Sequence, residues 1–143
     1  MQYRRVQTKA DIEFCKEAIL AFRTNLNADT VVNEVFEMIS KEGFELIYIS
    51  SDDNKKAIAF TGYRVIRMLR TGPIIYIDDL YTLPEVRGKG YAGALLDHVA
   101  EQATKNGINA IHLDSGYALH TAHRLYLNKG YVLACNHFAR QIA

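Results

Sequence analysis

The stretch that decides the fold is Pro84–Gly93, with the sequence PEVRGKGYAG, which lies between a predicted strand and a predicted helix. Gly88, Gly90 and Gly93 have the spacing G-x-G-x-x-G, which is associated with dinucleotide binding. A glycine-rich turn at this place leaves backbone N–H groups unpaired at the start of the helix, where the helix dipole adds partial positive charge. The stretch therefore predicts an anion site, most naturally for phosphate or pyrophosphate.

The position of these glycines argues against a nicotinamide cofactor. A Rossmann unit places them after its first strand, whereas three or four strands are predicted before them here. Only 50 residues follow Gly93, which leaves room for little more than one crossover. Asp114 lies 21 residues beyond Gly93, where a ribose-binding acid is expected, so NAD binding stays as an alternative. A Walker P-loop is excluded because G-x-x-x-x-G-K-[ST] is absent.

Before the turn, the pattern predicts a short strand over residues 2–7, then two helices and three strands. Asp11 is expected to cap the first helix, and Gly43 to end the second. The three strands are predicted at Phe44–Ser50, Ala57–Leu69 and Ile74–Leu83.

After the turn, apolar residues at helical spacing predict a helix that ends at Asn106 and Gly107. A strand, a helix and a last strand follow, at Ile108–Leu113, Ala118–Leu127 and Tyr131–Phe138. The order β-α-α-β-β-β-α-β-α-β predicts an α/β (α+β) fold. It is expected to form one domain over residues 1–143, with a mixed sheet and helices on its faces.

Composition excludes several classes of protein. The 17 Lys and Arg nearly balance the 16 Asp and Glu, so no nucleic-acid partner is expected. Two distant cysteines without C-x-x-C indicate free thiols in a reducing compartment, and the histidines fit no standard zinc spacing, so no metal is expected. No apolar run approaches the ~18 residues of a membrane span. The protein is therefore predicted to be cytoplasmic, without a membrane partner.

Two segments resemble a known family. Residues 80–92, LYTLPEVRGKGYA, resemble the acetyl-CoA motif of the GNAT superfamily of N-acetyltransferases. Residues 122–131, AHRLYLNKGY, resemble the family's A-x-x-[FL]-Y-x-x-x-G-[FY] segment, and the predicted order of elements also matches. The resemblance implies an N-acetyltransferase with acetyl-CoA as co-substrate. It further implies a mixed, mostly antiparallel sheet of six to seven strands with about four helices, splayed at the acetyl-CoA site.

The resemblance also implies which residues bind the coenzyme. Backbone amides of the glycine turn are expected to hold the pyrophosphate, and the end of the preceding strand is expected to pair with the pantetheine amides. His123 shares a helix face with the family's tyrosine and is a further candidate contact, although it is equally consistent with a surface histidine. The implied cofactor-binding residues are Leu80, Tyr81, Thr82, Arg87, Gly88, Lys89, Gly90, Tyr91, Ala92, Gly93 and His123.

Three residues are candidates for catalysis. Tyr126 occupies the family's general-acid position, where a phenol protonates the leaving thiolate. Asp78 and Asp79 interrupt an apolar strand and are similar to an acidic stretch of polyamine acetyltransferases, in which acidic residues serve the acceptor. A carboxylate here can attract an ammonium ion and take its proton. Alternation places the two aspartates on opposite faces unless a bulge intervenes, so the choice between them stays open.

The acceptor is expected to be the primary amine of a small molecule, because the AHRLY run and residues 136–140 resemble aminoalkylphosphonate and aminoglycoside acetyltransferases. Direct attack on the thioester in a ternary complex is expected, since no cysteine suggests an acetyl-enzyme. Asp114 and Ser115 end a strand near the cofactor side and are expected to shape the cleft. Besides NAD binding, two alternatives remain, a non-catalytic acyl-CoA sensor and a protein N-acetyltransferase. Many relatives pair as dimers, so a homodimer is the assembly that the resemblance suggests.

Overall fold

A computed structural model describes all 143 residues, which form one five-stranded sheet with helices on both faces. The strands are β1 (Tyr3–Arg5), β2 (Glu45–Ser50), β3 (Ala57–Met68), β4 (Gly72–Thr82) and β5 (Ile111–Leu113). The helices are α1 (Lys9–Phe22), α2 (Val31–Lys41), α3 (Tyr91–Lys105) and α4 (His120–Asn128), and a 3-10 turn spans Pro84–Val86.

The strands follow one another across the sheet in the order β1-β2-β3-β4-β5. The first four are antiparallel neighbours, and β5 runs parallel to β4 after the crossover through α3. The predicted mixed, mostly antiparallel sheet is therefore confirmed, as are the four helices. The strand count is corrected to five from the expected six to seven.

The difference in strand number comes from the end of the chain. The predicted strand Tyr131–Phe138 does not form, because no residue after Tyr131 makes a backbone hydrogen bond. Leu133 is 92% exposed and Phe138 is 92% exposed. Strand propensity needs a neighbouring strand to act on, and β5 is only three residues long. The strand predicted from Ile108 is shortened to Ile111–Leu113.

Each face of the sheet is defined by a row of cross-strand neighbours. Tyr3, Ile49, Ala59 and Thr82 lie opposite one another on four successive strands. The Tyr3 hydroxyl donates to the backbone oxygen of Ala94 at 3.2 Å, so this row lies on what we call the α3 face.

The adjacent row lies on the other face of the sheet, the α1 face. Tyr48, Phe60 and Tyr81 are neighbours on β2, β3 and β4. Phe14 and Phe22 of α1 pack against this row, with ring centroids 5.4 Å apart for Phe14 and Tyr48.

A continuous apolar core joins the sheet to the helices. Fully buried side chains from α1, β2, β4 and α3 meet in it, among them Ile12, Leu46, Ile75 and Leu95. Each such side chain contributes about 1.5–3 kcal/mol by leaving water. None of the helices combines the length and the apolar character required to cross a bilayer.

The start of α1 is a capping box. Thr8 is the N-cap, and its hydroxyl accepts from the Asp11 N–H at 3.2 Å. The Asp11 carboxylate accepts in return from the N–H groups of Gln7 and Thr8, at 2.9 and 3.0 Å. The sequence-based assignment of Asp11 as the cap is therefore wrong by three residues, because the preceding threonine has the extended backbone that a cap requires.

Replacing Asp11 by alanine is expected to lower the free energy of unfolding at pH 7 by about 1 kcal/mol, the usual value of a helix cap. Although burial acts to raise the pKa of the Asp11 carboxyl, the hydrogen bonds from Gln7 and Thr8 lower it overall. This stabilisation is complete above the unfolded-state pKa of about 3.9 and disappears as the pH falls through the lower folded-state pKa.

Urea unfolding at pH 7 and pH 2 measures this difference. Glu13→Ala is the matched control, because Glu13 lies on the same helix, is exposed and makes no hydrogen bond or ion pair. A variant at Asp11 that is as stable as wild type at pH 7 would contradict the capping role.

Candidate active site

The glycine turn presents a row of unpaired backbone donors. None of the six consecutive N–H groups from Gly88 to Gly93 donates a hydrogen bond within the protein. Gly88 and Gly90 have φ angles of +79° and +85°, the left-handed region in which glycine is favoured. A Cβ at either glycine would meet no atom within 4 Å, so the turn is open on that side. These donors lie where the sequence predicts an anion site, and the binding of an anion to them stays a prediction.

The two basic residues of the turn differ in what they contact. Lys89 is exposed and makes no ion pair. Arg87 is held back against the protein, since its Nε donates to the Thr82 backbone oxygen at 2.9 Å. Its guanidinium carbon also lies 5.2 Å from the centre of the Tyr81 ring. Only Lys89 is therefore directly available to an anion, and Arg87 becomes available when its side chain leaves Thr82.

The sheet opens between β4 and β5 next to this turn. Their pairing ends at Ile77 and Leu113, although β4 continues to Thr82. The Leu83 N–H donates to Ile58 on the β3 side. Alternation therefore directs the backbone groups of Leu80 and Thr82 into the gap and those of Tyr81 toward β3. The backbone of Leu80 and the N–H of Thr82 thus offer main-chain partners to an extended ligand, and the Thr82 oxygen joins them only when Arg87 leaves it. The Tyr81 ring, in contrast, stacks on Phe22.

A β-bulge places both predicted carboxylates on one face of the sheet. Gly62 pairs with Asp79 and Tyr63 pairs with Ile77, which leaves Asp78 as the extra residue of β4. Both aspartates consequently lie on the α1 face, so the bulged arrangement that the sequence left open is the one observed. A Cβ at position 62 would collide with the Phe44 ring and lie 3.1 Å from Asp79 Oδ2, so any larger residue there would force the buried Phe44 ring to shift.

Each aspartate pairs with its own arginine, and the two pairs differ. Arg64 binds both oxygens of Asp78, with Nε 3.1 Å from Oδ1 and Nη2 2.7 Å from Oδ2. Arg23 binds a single oxygen of Asp79, with Nε 2.8 Å and Nη2 2.7 Å from Oδ1. Arg23 Nη2 also donates to the Asp78 backbone oxygen at 2.9 Å, so the end of α1 is attached to the bulge.

This difference leaves Asp79 as the carboxylate with a free oxygen. Asp79 Oδ2 makes no hydrogen bond and is not sealed from solvent. Burial raises the pKa of Asp79 above its ordinary value, even though Arg23 acts to lower it. A carboxylate with a raised pKa and an unpaired oxygen is the better proton acceptor.

Tyr126 lies on the other side of the sheet, where α4 packs on α3. A Cβ at Gly93 would lie 3.2 Å from Lys129 Cε and 3.7 Å from Leu125 Cδ1, so this glycine allows α4 to approach the start of α3. Lys129 Nζ also pairs with Asp97 Oδ2 at 2.8 Å.

The Tyr126 hydroxyl makes no hydrogen bond within the protein, and burial raises its pKa. It is therefore a protonated phenol at neutral pH with a hydroxyl free for a ligand. No hydrogen bond joins Tyr126 to Asp78 or Asp79. The gap between β4 and β5, which opens after Ile77 and Leu113, lies between the two sides.

His123 has a structural contact in this arrangement. Its Nε2 lies 2.8 Å from the Gly116 backbone oxygen and ties α4 to the loop that precedes it. A contact between His123 and the coenzyme stays a prediction.

Several residues of the site have no signal in the sequence. Arg23 and Arg64 are isolated arginines, and only folding brings them to the bulge. On the same α1 face, the Tyr76 hydroxyl hydrogen-bonds to Asp114, whose Oδ1 lies 3.3 Å from His137 Nδ1. No group of three or more His, Cys, Asp or Glu side chains is arranged to hold a metal ion, and the expectation of no metal stays a prediction.

Comparisons with known proteins identify the family. Residues 13–131 match the family model described as the acetyltransferase (GNAT) family. The uncharacterized N-acetyltransferase YhdJ of Bacillus subtilis (strain 168) is 31% identical over 107 residues, which are 75% of this chain and 74% of the relative.

Solved structures of low sequence identity share the fold. A ribosomal-protein-alanine N-acetyltransferase from Brucella melitensis biovar Abortus 2308 has a TM-score of 0.81 at 16% identity, covering 99% of this chain and 100% of that chain. A predicted acetyltransferase from Clostridium acetobutylicum, crystallised with acetyl-CoA, has a TM-score of 0.75 at 17% identity, covering 98% and 95% of the two chains.

Proposed function

Because the chain belongs to the GNAT acetyltransferase family, we propose that it moves the acetyl group of acetyl-CoA to the primary amine of a small molecule. The observation that carries the proposal is the row of six unpaired N–H groups at the start of α3, next to the open edge of β4. Unpaired donors at a helix start suit a pyrophosphate, and an open strand edge suits the amides of an extended arm.

The residues of the cleft fit acetyl-CoA along its length. Backbone N–H groups from Gly88 to Gly93, together with Lys89 Nζ, would hold the pyrophosphate, and the Arg87 side chain would add charge once it leaves Thr82. Leu80 and Thr82 would pair with the arm through their main chain. Acetyl-CoA supplies an activated acyl group and a thiolate that can leave.

The acidic character of the α1 face supports an amine acceptor. Asp78 and Asp79 lie on this face at the gap, and Asp114 lies on the same face after β5. An ammonium ion is attracted to carboxylates, and two arginines nearby limit the net negative charge. Because the arginines offset part of the negative charge, this face favours an acceptor with few positive charges over a highly charged polycation.

The catalytic roles follow from which atoms are free. Asp79 Oδ2 would accept the proton that the ammonium ion must lose, directly or through water. Tyr126 would donate its phenolic proton, or a hydrogen bond, to the departing sulfur. Arg23 orients Asp79, and the fixed positions of these groups on strand and helix hold the two substrates for direct attack.

A thiol-release assay with acetyl-CoA tests this function. The acceptor panel contains polyamines, aminoglycosides, aminoalkylphosphonates and peptides with free N-termini. Turnover with a small amine is expected. Turnover with peptides alone would indicate a protein N-acetyltransferase, and coenzyme binding without turnover would indicate a sensor. Absence of coenzyme A binding would refute the proposal.

Replacing Asp79 by asparagine is expected to lower kcat about tenfold or more, because the amide cannot accept the proton. Steady-state kinetics with the best acceptor measure the fall. Asp78→Asn is the matched control. It removes the carboxylate that pairs with Arg64, just as Asp79→Asn removes the carboxylate that pairs with Arg23. A larger fall in kcat for Asp78→Asn would assign the proton acceptor to Asp78, and an equal fall would contradict the assignment to Asp79 alone.

A further inference from the structure

Two buried hydroxyl groups have no hydrogen-bond partner within the protein, Thr82 Oγ1 and Ser115 Oγ. They are the only buried side-chain nitrogen or oxygen atoms in this state. Buried polar side chains nearly always have partners, and each exception calls for a physical explanation.

Both hydroxyls flank the gap between β4 and β5. Thr82 is the last residue of β4 and faces α3, because it pairs with Ala59 in the row that begins at Tyr3. Ser115 is two residues past Leu113, the end of β5. The Asp114 side chain meets Tyr76 on the α1 face, and continuing the alternation of β5 beyond Leu113 would direct Ser115 to the α3 face.

The two hydroxyls lie at different positions along the gap. Thr82 lies next to the glycine turn, since its backbone oxygen is bonded to Arg87. Ser115 lies nearer the point where the strands part, at Ile77 and Leu113, close to the bulge. A ligand with its pyrophosphate at the turn and its acyl group at the bulge would pass Thr82 first and Ser115 last.

We propose that the two hydroxyls position the arm of acetyl-CoA, with Ser115 at the acyl thioester and Thr82 nearer the pyrophosphate. This inference rests on the proposed function and adds a side-chain contribution to the main-chain pairing. A hydroxyl can donate to an amide or thioester carbonyl and can accept from an amide N–H. Both oxygens are shielded from solvent, so neighbouring side chains must move first. The exposed Arg87 side chain is one of these, since it is hydrogen-bonded to the Thr82 backbone oxygen and a bound pyrophosphate would attract it away from there.

The test compares Thr82→Val and Ser115→Ala with wild type by titration calorimetry and thermal unfolding. Each variant is expected to bind acetyl-CoA about three- to tenfold more weakly, the usual value of one hydrogen bond. Without ligand, neither should melt lower than wild type, because each substitution removes an unpaired buried group. Ser115→Ala should weaken the binding of acetyl-CoA more than the binding of CoA, because only acetyl-CoA carries the thioester. Thr82→Val should weaken the binding of both ligands equally.

Thr61→Val is the matched control. Thr61 is on the α3 face and fully buried, but its hydroxyl donates to the Asp79 backbone oxygen at 2.9 Å. The same change there should lower the melting temperature, and Thr82→Ser should restore the affinity that Thr82→Val loses. Unchanged acetyl-CoA affinity in Thr82→Val and Ser115→Ala, or a melting temperature lowered as in Thr61→Val, would overturn the inference. Failure of the wild-type protein to bind acetyl-CoA would instead refute the proposed function.

Discussion

Replacing Gly90 by valine is expected to weaken acetyl-CoA binding at least about 100-fold. Gly90 has a φ of +85°, a conformation that costs a side-chain-bearing residue about 1–2 kcal/mol and that a β-branched residue avoids. The turn would relax and withdraw N–H groups from the pyrophosphate. Loss of two hydrogen bonds to a charged group costs about 3 kcal/mol or more, which is the stated change in affinity. Titration calorimetry measures it.

Gly107→Val separates the effect on binding from the effect on stability. Gly107 follows the opposite end of α3 with a φ of +68°, and a Cβ there also meets nothing within 4 Å. The free energy of unfolding, measured in urea, should fall by a similar amount in both variants. Only Gly90→Val should lose affinity for acetyl-CoA. Equal acetyl-CoA affinity in the two variants would place the pyrophosphate elsewhere.

Replacing Tyr126 by phenylalanine is expected to lower kcat about 100-fold, the lower end of what a general acid contributes. The hydroxyl makes no hydrogen bond within the protein, so its removal should leave the free energy of unfolding unchanged. The KM for acetyl-CoA should change by no more than about threefold. Burial raises the pKa of Tyr126, so the wild-type phenol stays protonated throughout an assay between pH 7 and pH 9. Thiol release with the best acceptor measures kcat.

Tyr131→Phe provides the control for Tyr126. The two rings are neighbours, with centroids 5.9 Å apart, and burial also raises the pKa of Tyr131, to about 12. Removing the second hydroxyl should leave kcat within about threefold of wild type. Full activity in Tyr126→Phe would remove this residue from the chemistry.

The features that the sequence predicted well are those set by neighbouring residues. The glycine turn is one, because its unpaired donors follow from Gly88 and Gly90 and from the helix that begins immediately after them. The order of helices and antiparallel strands is another, since apolar spacing determines which side of each element is buried. The identity of the strand that splays also followed from the local motif.

The features that the sequence did not predict depend on distant partners. Asp78 and Asp79 share a face only because β3 supplies one residue, Gly62, opposite the pair. Arg23 reaches Asp79 across 56 positions of sequence, which no local pattern encodes. The strand predicted at Tyr131–Phe138 lacked a partner of sufficient length.

The bulge in β4 has a consequence for insertions and deletions in the gene. Deleting most single codons within β4 would shift the register by one residue. Every later side chain of the strand would then move to the opposite face of the sheet. Loss of the codon for Asp78 would not have this effect, since Ile77 and Asp79 already oppose successive residues of β3. This one position can therefore be removed while the lining of both sides is kept, and a lineage that lost it would retain the scaffold with a straightened, chemically altered cleft.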